Sequence, residues 1–251
     1  MKVMVECWGL QFKGLAIETA LEVPGNFRQI VTVNAEMVVT AHKDDRLREI
    51  VNHTDTLSTI DGQHTLVLAR SATGGQSIEK VSGSDIIYKF AKRCFEKDYR
   101  LFLLGAIQEV NDTAVKNLRK EFGVDVRGYS PPYEQYPFSR NTNDDILRRL
   151  QEFKPHVLFV AFGALKQELW IYSNKARLSE MGVKVAVGCG GSLDFVSGRV
   201  RRAPKSIQNF GLEGVWRLVQ EPKLFRLRRV LYSTRLYWIH LKYVVTRSRR
   251  R

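Results

Sequence analysis

Short apolar runs alternate along the chain with longer stretches in which apolar residues recur at helical spacing. The runs are predicted to form strands, at residues 29–33, 57–60, 100–105, 124–128, 157–162 and 183–187. Helices are predicted between them, over residues 36–52, 86–96, 110–122, 143–153 and 167–181. Because buried parallel strands have continuous apolar runs, this order predicts an α/β fold. The expected architecture is Rossmann-like, with a mostly parallel sheet and helices on both faces.

Some stretches lack a clear period, at residues 1–28, 66–69, 70–82 and 129–140. Residues 1–28 and 66–69 stay unassigned. The third is rich in Gly, Ser and Thr, and the fourth contains three prolines and three tyrosines, so both are predicted as surface loops. Ser84 and Asp85 are placed to cap the helix predicted from about Ile86.

Basic residues are concentrated in the last part of the chain. The net charge of the whole chain is +14, and the residues from Arg199 onward carry fifteen Lys or Arg against only Glu213 and Glu221. Nearly all of the net charge therefore lies in this segment. Such asymmetry indicates a region that meets phosphate, whether on a lipid, a nucleic acid or a nucleotide.

Two further helices are predicted in this basic segment, over residues 212–219 and 222–246. The second has an approximate apolar side, formed by Leu224, Leu227, Leu231, Trp238 and Leu241. A basic amphipathic helix with aromatic residues is typical of a segment that lies on anionic lipid, although core helices can show the same pattern. The predicted domains are an α/β domain over residues 1–204 and a basic helical appendage over residues 205–251.

The cysteines and the N-terminus bear on the cellular compartment. Cys7, Cys94 and Cys189 are scattered without metal-type spacing, which is typical of reduced thiols. The N-terminus lacks the pattern of a signal peptide. No apolar run reaches the roughly eighteen residues that a membrane-spanning helix needs. The expectation is a cytoplasmic protein.

Asp61 is the first candidate for a catalytic residue, because it directly follows a predicted strand and precedes Gly62. Ligands of α/β sheets gather outside the carboxyl ends of the strands, where a carboxylate can act as a general base. A carboxylate before glycine is also an ordinary turn residue. His64, three residues later, is a second candidate base.

Glycine follows three predicted strands, as Gly105, as Gly163 and in the cluster Gly188–Gly191. Glycine there lets a ligand approach the backbone amides, but it is also common in ordinary turns between strands and helices. Gln167 and Glu168 then stand at a predicted helix N-terminus. The helix dipole favours Glu168 there, and the amide of Gln167 could bind a sugar or a uracil edge.

Further along, Asp194 is suited either to capping a helix or to accepting a sugar hydroxyl. Arg199, Arg201 and Arg202 cluster ahead of a proline. Guanidinium groups bind diphosphate with two parallel hydrogen bonds and can compensate its charge as it leaves. The same cluster could simply be a solvated basic turn.

Several familiar motifs are absent from the sequence. It has no G-x-G-x-x-G after a strand and no G-x-x-x-x-G-K-[ST], which disfavours a dinucleotide oxidoreductase and a P-loop enzyme. No two aspartates are separated by one residue, and no two histidines have metal-ligand spacing. Neither a metal nor another cofactor is expected.

An ordered set of short segments carries a family resemblance: Thr32-Val33-Asn34, Ile60-Asp61-Gly62, Ser82-Gly83-Ser84-Asp85, Phe102-Leu103-Leu104-Gly105, Gly163-Ala164-Leu165-Lys166-Gln167-Glu168, Gly190-Gly191-Ser192-Leu193-Asp194-Phe195, Gly198 and Arg202-Ala203-Pro204. Each segment is unspecific alone. Together, from about residue 30 to 225, they resemble the WecG/TagA/CpsF family of bacterial glycosyltransferases.

The resemblance implies an inverting, metal-independent transferase of cell-surface or exopolysaccharide assembly. It would move a sugar from a UDP-sugar donor to a polyprenyl-diphosphate-linked saccharide at the cytoplasmic face of the inner membrane. Asp61 matches the family's catalytic base. Thr32 and Asn34 match its pocket residues, and Thr32 is counted with Asp61 as a candidate catalytic residue. The appendage would bind the anionic membrane surface peripherally. Gln167, Glu168, Asp194 and Arg202 match further family positions around the donor site. The other substrate-binding candidates are Gly83, Asp85, Gly105, Gly190, Gly191 and, from the appendage, Arg217 and Arg226.

The sequence departs from the family pattern at three places. Leu165 stands where the family usually has proline, and Gly214 stands where it usually has tryptophan. The family's Glu-Pro-x-Arg element begins here with Glu221 but lacks its arginine, for which Arg226 is the nearest candidate. These changes leave open the geometry of the appendage and the identity of donor and acceptor.

Two other functions compete with this reading. A basic nucleic-acid-binding α/β protein would use the same tail without needing Asp61, and a binding module would lack turnover altogether. The glycosyltransferase interpretation does not require a nucleic-acid partner.

No residue distinguishes N-acetylmannosamine, its uronic acid or glucose as the transferred sugar, and self-association into a homo-oligomer also stays open.

Overall fold

A computed structural model describes residues 4–249, apart from the side chain of Phe225. Within that range the strands are β1 (Val5–Cys7), β2 (Leu10–Phe12), β3 (Arg28–Val33), β4 (Thr56–Ile60), β5 (Leu101–Gly105), β6 (Val126–Tyr129), β7 (Val157–Ala161) and β8 (Val185–Gly188). The helices are α1 (Ile17–Leu21), α2 (Ala35–Ala41), α3 (Asp45–Asn52), α4 (Gln63–Ala72), α5 (Gly83–Glu96), α6 (Gln108–Phe122), α7 (Arg140–Phe153), α8 (Lys166–Ser173), α9 (Lys175–Glu180), α10 (Ser192–Val196), α11 (Lys205–Asn209), α12 (Glu213–Gln220), α13 (Leu224–Ser233) and α14 (Arg235–Ser248).

The chain divides into two compact units. The central unit comprises residues 21–31 and 83–199. The Asp61 unit comprises the described residues up to Ala20, residues 32–82 and the described residues from Val200 onward. Strand β3 begins in the first of these units and ends in the second. The predicted boundary between residues 204 and 205 stays a prediction.

Parallel strands form the central unit. The first residues of β3 pair with β8, β8 pairs with β7, β7 with β5, and β5 with β6, all in parallel. One sheet face packs against α7 and α8, where Phe102, Leu158 and Trp170 share a buried cluster. On the other face Phe159 meets Phe90 of α5, with ring centroids 5.7 Å apart. Helices therefore cover both faces, as the continuous apolar strands predict.

The last residues of β3 belong to the Asp61 unit. There β4 is its neighbour, so the strand order of the six-stranded sheet is β4-β3-β8-β7-β5-β6. An antiparallel hairpin of β1 and β2 lies in the same unit, where α3 packs on β2 and β4. The predicted α/β class with a mostly parallel sheet is confirmed.

The basic C-terminal helices also pack within the Asp61 unit. Helix α13 packs on α2, and α14 packs on both α2 and α4. The Trp8 indole N–H donates to Nδ1 of His240 at 3.3 Å, and the Tyr243 hydroxyl donates to the Glu6 carbonyl at 3.2 Å. Burial lowers the pKa of His240, which keeps its ring neutral and able to accept the indole N–H.

Over residues 4–249, no helix combines the length and apolarity needed to cross a bilayer.

Three of the predicted helices are each divided into two helices in the structure. The helix predicted over residues 36–52 is broken before Asp44, whose side chain caps α3 by accepting the Arg46 N–H. The one over 167–181 is interrupted at Asn174, whose Nδ2 donates to the Trp170 carbonyl at 2.9 Å. The one over 222–246 is divided at Thr234 into α13 and α14. Polar side chains that bond to nearby backbone favour such breaks.

Two smaller predictions and one unassigned run can be compared with the structure. The cap assigned to Ser84 and Asp85 is wrong, because α5 begins at Gly83 and both residues lie in its first turn. The unassigned run 66–69 belongs to α4. Cys7, Cys94 and Cys189 are free and buried, and desolvation raises the pKa of Cys7 and of Cys94 to about 12.

Candidate active site

Asp61 lies directly after β4, whose five residues are all buried. Its backbone N–H donates to the Val33 carbonyl at 2.9 Å, and the neighbouring Ile60 carbonyl accepts the Val81 N–H at 2.8 Å. Gly62 follows with φ of 81° and leads into α4. Backbone bonds on both sides thus fix the position of Asp61 at a strand end, as predicted, while its side chain stays partly exposed.

Thr32 and Asn34 lie at the end of β3, the strand next to β4. Thr32 is buried, and Asn34 caps α2, with its Oδ1 accepting the Met37 N–H at 3.0 Å. The cap fixes the rotamer of Asn34 and satisfies one of the helix's first amides. Asp61, Thr32 and Asn34 therefore stand at the carboxyl ends of two neighbouring strands, where such folds bind ligands.

His64, the second candidate base, sits in the first turn of α4 and is in contact with the C-terminal helices. Its Nδ1 lies 2.7 Å from the Tyr237 hydroxyl, and the two rings meet edge to face. A Cβ at Gly211 would lie 2.5 Å from its Nε2, so the ring also packs tightly against that turn. These contacts give His64 a structural role that is complete without catalysis.

The predicted arginines of the basic segment lie in ion pairs. The Arg202 Nε is 3.3 Å from Glu213, and the Arg226 guanidinium pairs closely with Glu221. The Arg217 Nε is 3.9 Å from the same Glu221 carboxylate. Arg226 thus stands beside Glu221 although the sequence element between them departs from the family pattern.

Gln167 and Glu168 are almost fully buried in the central unit. Glu168 accepts the Leu165 N–H through Oε2 at 2.7 Å and the Gln167 amide through Oε1 at 2.7 Å. The Gln167 Oε1 in turn accepts the Gly190 N–H at 3.0 Å. The two side chains thereby bind the start of α8 to the glycine-rich turn after β8.

Leu165 has φ of 71°, which proline cannot adopt, and its N–H is the donor to Glu168. The departure from the family's proline therefore has a local explanation in this chain. Nothing in these contacts disturbs the predicted helix N-terminus at Lys166.

The remaining predicted positions also lie in the central unit. An added Cβ at Gly105 would come within 3.0 Å of the Ala161 backbone, and one at Gly83 would lie 3.2 Å from the Ser192 Oγ. Gly190 has φ of 50°. Close packing and backbone conformation thus explain these glycines without a ligand. Gly191 caps α10, and Asp85 and Asp194 lie in the first turns of α5 and α10.

Sequence reasoning missed the acidic partners of the arginines. Glu213 and Glu221 stand at the two ends of α12, and Glu36 in the first turn of α2 pairs closely with Arg229. A signal was available, since Glu213 and Glu221 are the only acidic residues after Arg199.

Within the described residues, no three His, Cys, Asp or Glu side chains come together as a group that could hold a metal ion.

A sequence model of the "Glycosyl transferase WecG/TagA/CpsF family" matches residues 5–250, nearly the whole chain. The chain belongs to this family. It is accordingly a glycosyltransferase. A curated relative from Bacillus spizizenii is 28% identical over 203 residues, which cover 80% of this chain and 74% of the relative. That relative is named N-acetylglucosaminyldiphosphoundecaprenol N-acetyl-beta-D-mannosaminyltransferase.

Family membership does not by itself assign roles to individual residues. In this WecG/TagA/CpsF glycosyltransferase, Asp61, Thr32, Asn34 and the arginine pairs belong to the Asp61 unit. Gln167, Glu168 and the remaining predicted glycines and aspartates belong to the central unit. Their roles stay predictions.

Proposed function

We propose that this glycosyltransferase transfers a sugar from a UDP-sugar with inversion, without a metal, and with Asp61 as the general base. The Asp61 carboxylate takes the proton of the acceptor hydroxyl while the acceptor oxygen attacks the anomeric carbon. The bond from that carbon to the UDP oxygen breaks, and UDP leaves with the electron pair. The main support is the position of Asp61, which backbone bonds hold at the end of β4 beside Thr32 and Asn34.

The leaving diphosphate needs charge compensation if no metal supplies it. Arg202, Arg217 and Arg226 are suited to this task, because guanidinium groups stay charged and bind phosphate oxygens in pairs. They belong to the same compact unit as Asp61. We therefore propose that they stabilise UDP as it departs, with Thr32 and Asn34 contacting the substrate.

The printed name of the relative suggests both substrates. That protein is named for an N-acetylglucosaminyl-diphosphoundecaprenol acceptor and an N-acetylmannosaminyl group. We propose a polyprenyl-diphosphate-linked N-acetylglucosamine as the acceptor for this chain. N-acetylmannosamine is the first sugar to test.

The proposal is tested by measuring UDP release with a panel of UDP-sugars and a short-chain prenyl-diphosphate N-acetylglucosamine, in the presence of EDTA. Turnover with one donor is the expected result, and the anomeric configuration of the product reports inversion. Activity that appears only when a divalent metal is restored would contradict the metal-independent mechanism. Absence of UDP binding would remove the nucleotide-sugar proposal.

We also propose that the basic C-terminal helices bind the cytoplasmic face of the membrane peripherally. Leu224, Leu231 and Trp238 are 77%, 60% and 68% exposed, so α13 and α14 together present several large apolar side chains to water. Exposed Arg228, Arg235 and Lys242 accompany them. Apolar insertion combined with basic attraction to anionic lipid is the physical basis of interfacial helices.

A Trp238→Glu, Leu241→Glu double variant should float with vesicles of equimolar phosphatidylglycerol and phosphatidylethanolamine at least about tenfold less than the wild type, since two apolar contacts are replaced by charge. Ile107→Glu is a matched control, because Ile107 is 53% exposed on the central unit. Wild-type binding should also weaken with salt. Equal flotation of the double variant and the wild type would contradict the proposal.

A further inference from the structure

Helix α12 holds the backbone of the segment that carries Arg202. The Gln220 side chain accepts the Arg201 N–H at 3.0 Å and donates to the Arg201 carbonyl at 2.9 Å. The Trp216 indole donates to the same carbonyl at 3.1 Å. The chain just before Arg202 is therefore fixed to one face of α12.

The two carboxylates at the ends of α12 hold arginine side chains. Glu213 pairs with Arg202, whose guanidinium also reaches Gln208 at 3.4 Å. Glu221 contacts Arg226 closely, and Arg217 and Lys223 at 3.9 Å each. The Glu221 side chain is 17% exposed and that of Arg226 is 10% exposed, so this pair is largely withdrawn from water.

We infer that Glu221 is a positioning residue that orients Arg226 and Arg217 toward the diphosphate of the nucleotide sugar, a role that rests on the function proposed above. A guanidinium has five N–H donors in a fixed plane, and a carboxylate occupies only part of them. The ion pair therefore sets the direction in which the whole guanidinium plane faces. An arginine held in this way loses less side-chain freedom when it binds phosphate.

Two opposing effects decide what Glu221 does to an anionic ligand. Its negative charge repels a diphosphate, so charge alone predicts that removal of the carboxylate tightens UDP binding. The orienting effect predicts that removal of the carboxylate weakens UDP binding, because Arg226, Arg217 and Lys223 lose the carboxylate that all three contact. The orientation effect should dominate, since the three cations around Glu221 already compensate its charge.

The test is calorimetric titration of UDP into the purified full-length chain, comparing wild type with Glu221→Gln. We expect the Kd for UDP to rise about tenfold, which corresponds to about 1.4 kcal/mol. Glu152→Gln is the control for the loss of one carboxylate, since it breaks the ion pair with Arg148 on the exposed side of α7, and it should leave Kd unchanged. Equal or tighter UDP binding by Glu221→Gln would overturn the inference.

Glu221→Asp tests the inference even if the glutamine variant does not fold. It keeps the charge and withdraws the carboxylate by one methylene, so charge alone predicts an unchanged Kd. If Glu221 orients the arginines, the Kd of the Glu221→Asp variant should lie above that of the wild type. An unchanged Kd would overturn the inference. A wild-type chain that fails to bind UDP would instead refute the proposed function, so the two failures are distinguishable.

Discussion

Asp61→Asn is expected to lower kcat for sugar transfer by about 100- to 10,000-fold, the usual contribution of a general base. Asparagine has nearly the same shape but cannot take the proton of the acceptor hydroxyl. The backbone bonds that hold this strand end do not involve the side chain, so the local fold should persist. The measurement is the UDP-release rate at saturating substrates, with calorimetric UDP binding to show that the donor site is retained.

His64→Ala is the control for the alternative base. Because the Tyr237 and Gly211 contacts give this ring a structural role, we expect its loss to reduce kcat by no more than about tenfold, well below the general-base range. An active Asp61→Asn variant together with an inactive His64→Ala variant would transfer the role of base to His64.

Gly188→Ala should reduce the free energy of unfolding by about 1–3 kcal/mol, the usual effect of overpacking a buried site. An added Cβ would lie 2.6 Å from the Glu168 Oε1 and 2.7 Å from the Gln167 Nε2. Both side chains are buried and engaged in hydrogen bonds, so they cannot move aside without breaking those bonds. Thermal unfolding followed by circular dichroism measures the effect as a melting temperature lowered by several degrees.

Gly25→Ala serves as the comparison for this substitution. Gly25 belongs to the same unit and is exposed, with no atom within 4 Å of an added Cβ. It should melt close to the wild type. If the two variants melt alike, Gly188 is not the tightly packed position that the structure indicates.

The sheet could be predicted from the sequence because its strands carry their own signal. Runs such as residues 101–105 and 157–161 are continuously apolar, and parallel strands covered on both faces require that pattern. The position of Asp61 followed from the alternating apolar and polar residues of the strand before it, since a strand that ends before Asp-Gly leaves the carboxylate at its carboxyl end. Local patterns were sufficient for both results.

The parts that could not be predicted depend on distant contacts or on single backbone angles. Each strand of the β1–β2 hairpin has three residues, too few for a period. The packing of α14 rests on pairs such as Trp8 with His240, which are 232 residues apart in the chain. The sequence shows that Glu221 is one of two acidic residues in the basic segment, but the pairing of its side chain with Arg226 across Pro222 depends on the turn between α12 and α13.

The division of the Asp61 unit among three chain segments has a consequence for biosynthesis. Most of the central unit is one continuous stretch, residues 83–199, which can begin to fold while the ribosome is still translating the remainder. The faces of α2 and α4 that pack against α13 and α14 stay uncovered until residues beyond Val200 emerge. A nascent chain therefore completes this unit only when its basic segment, the part that we propose to bind the membrane, leaves the ribosome.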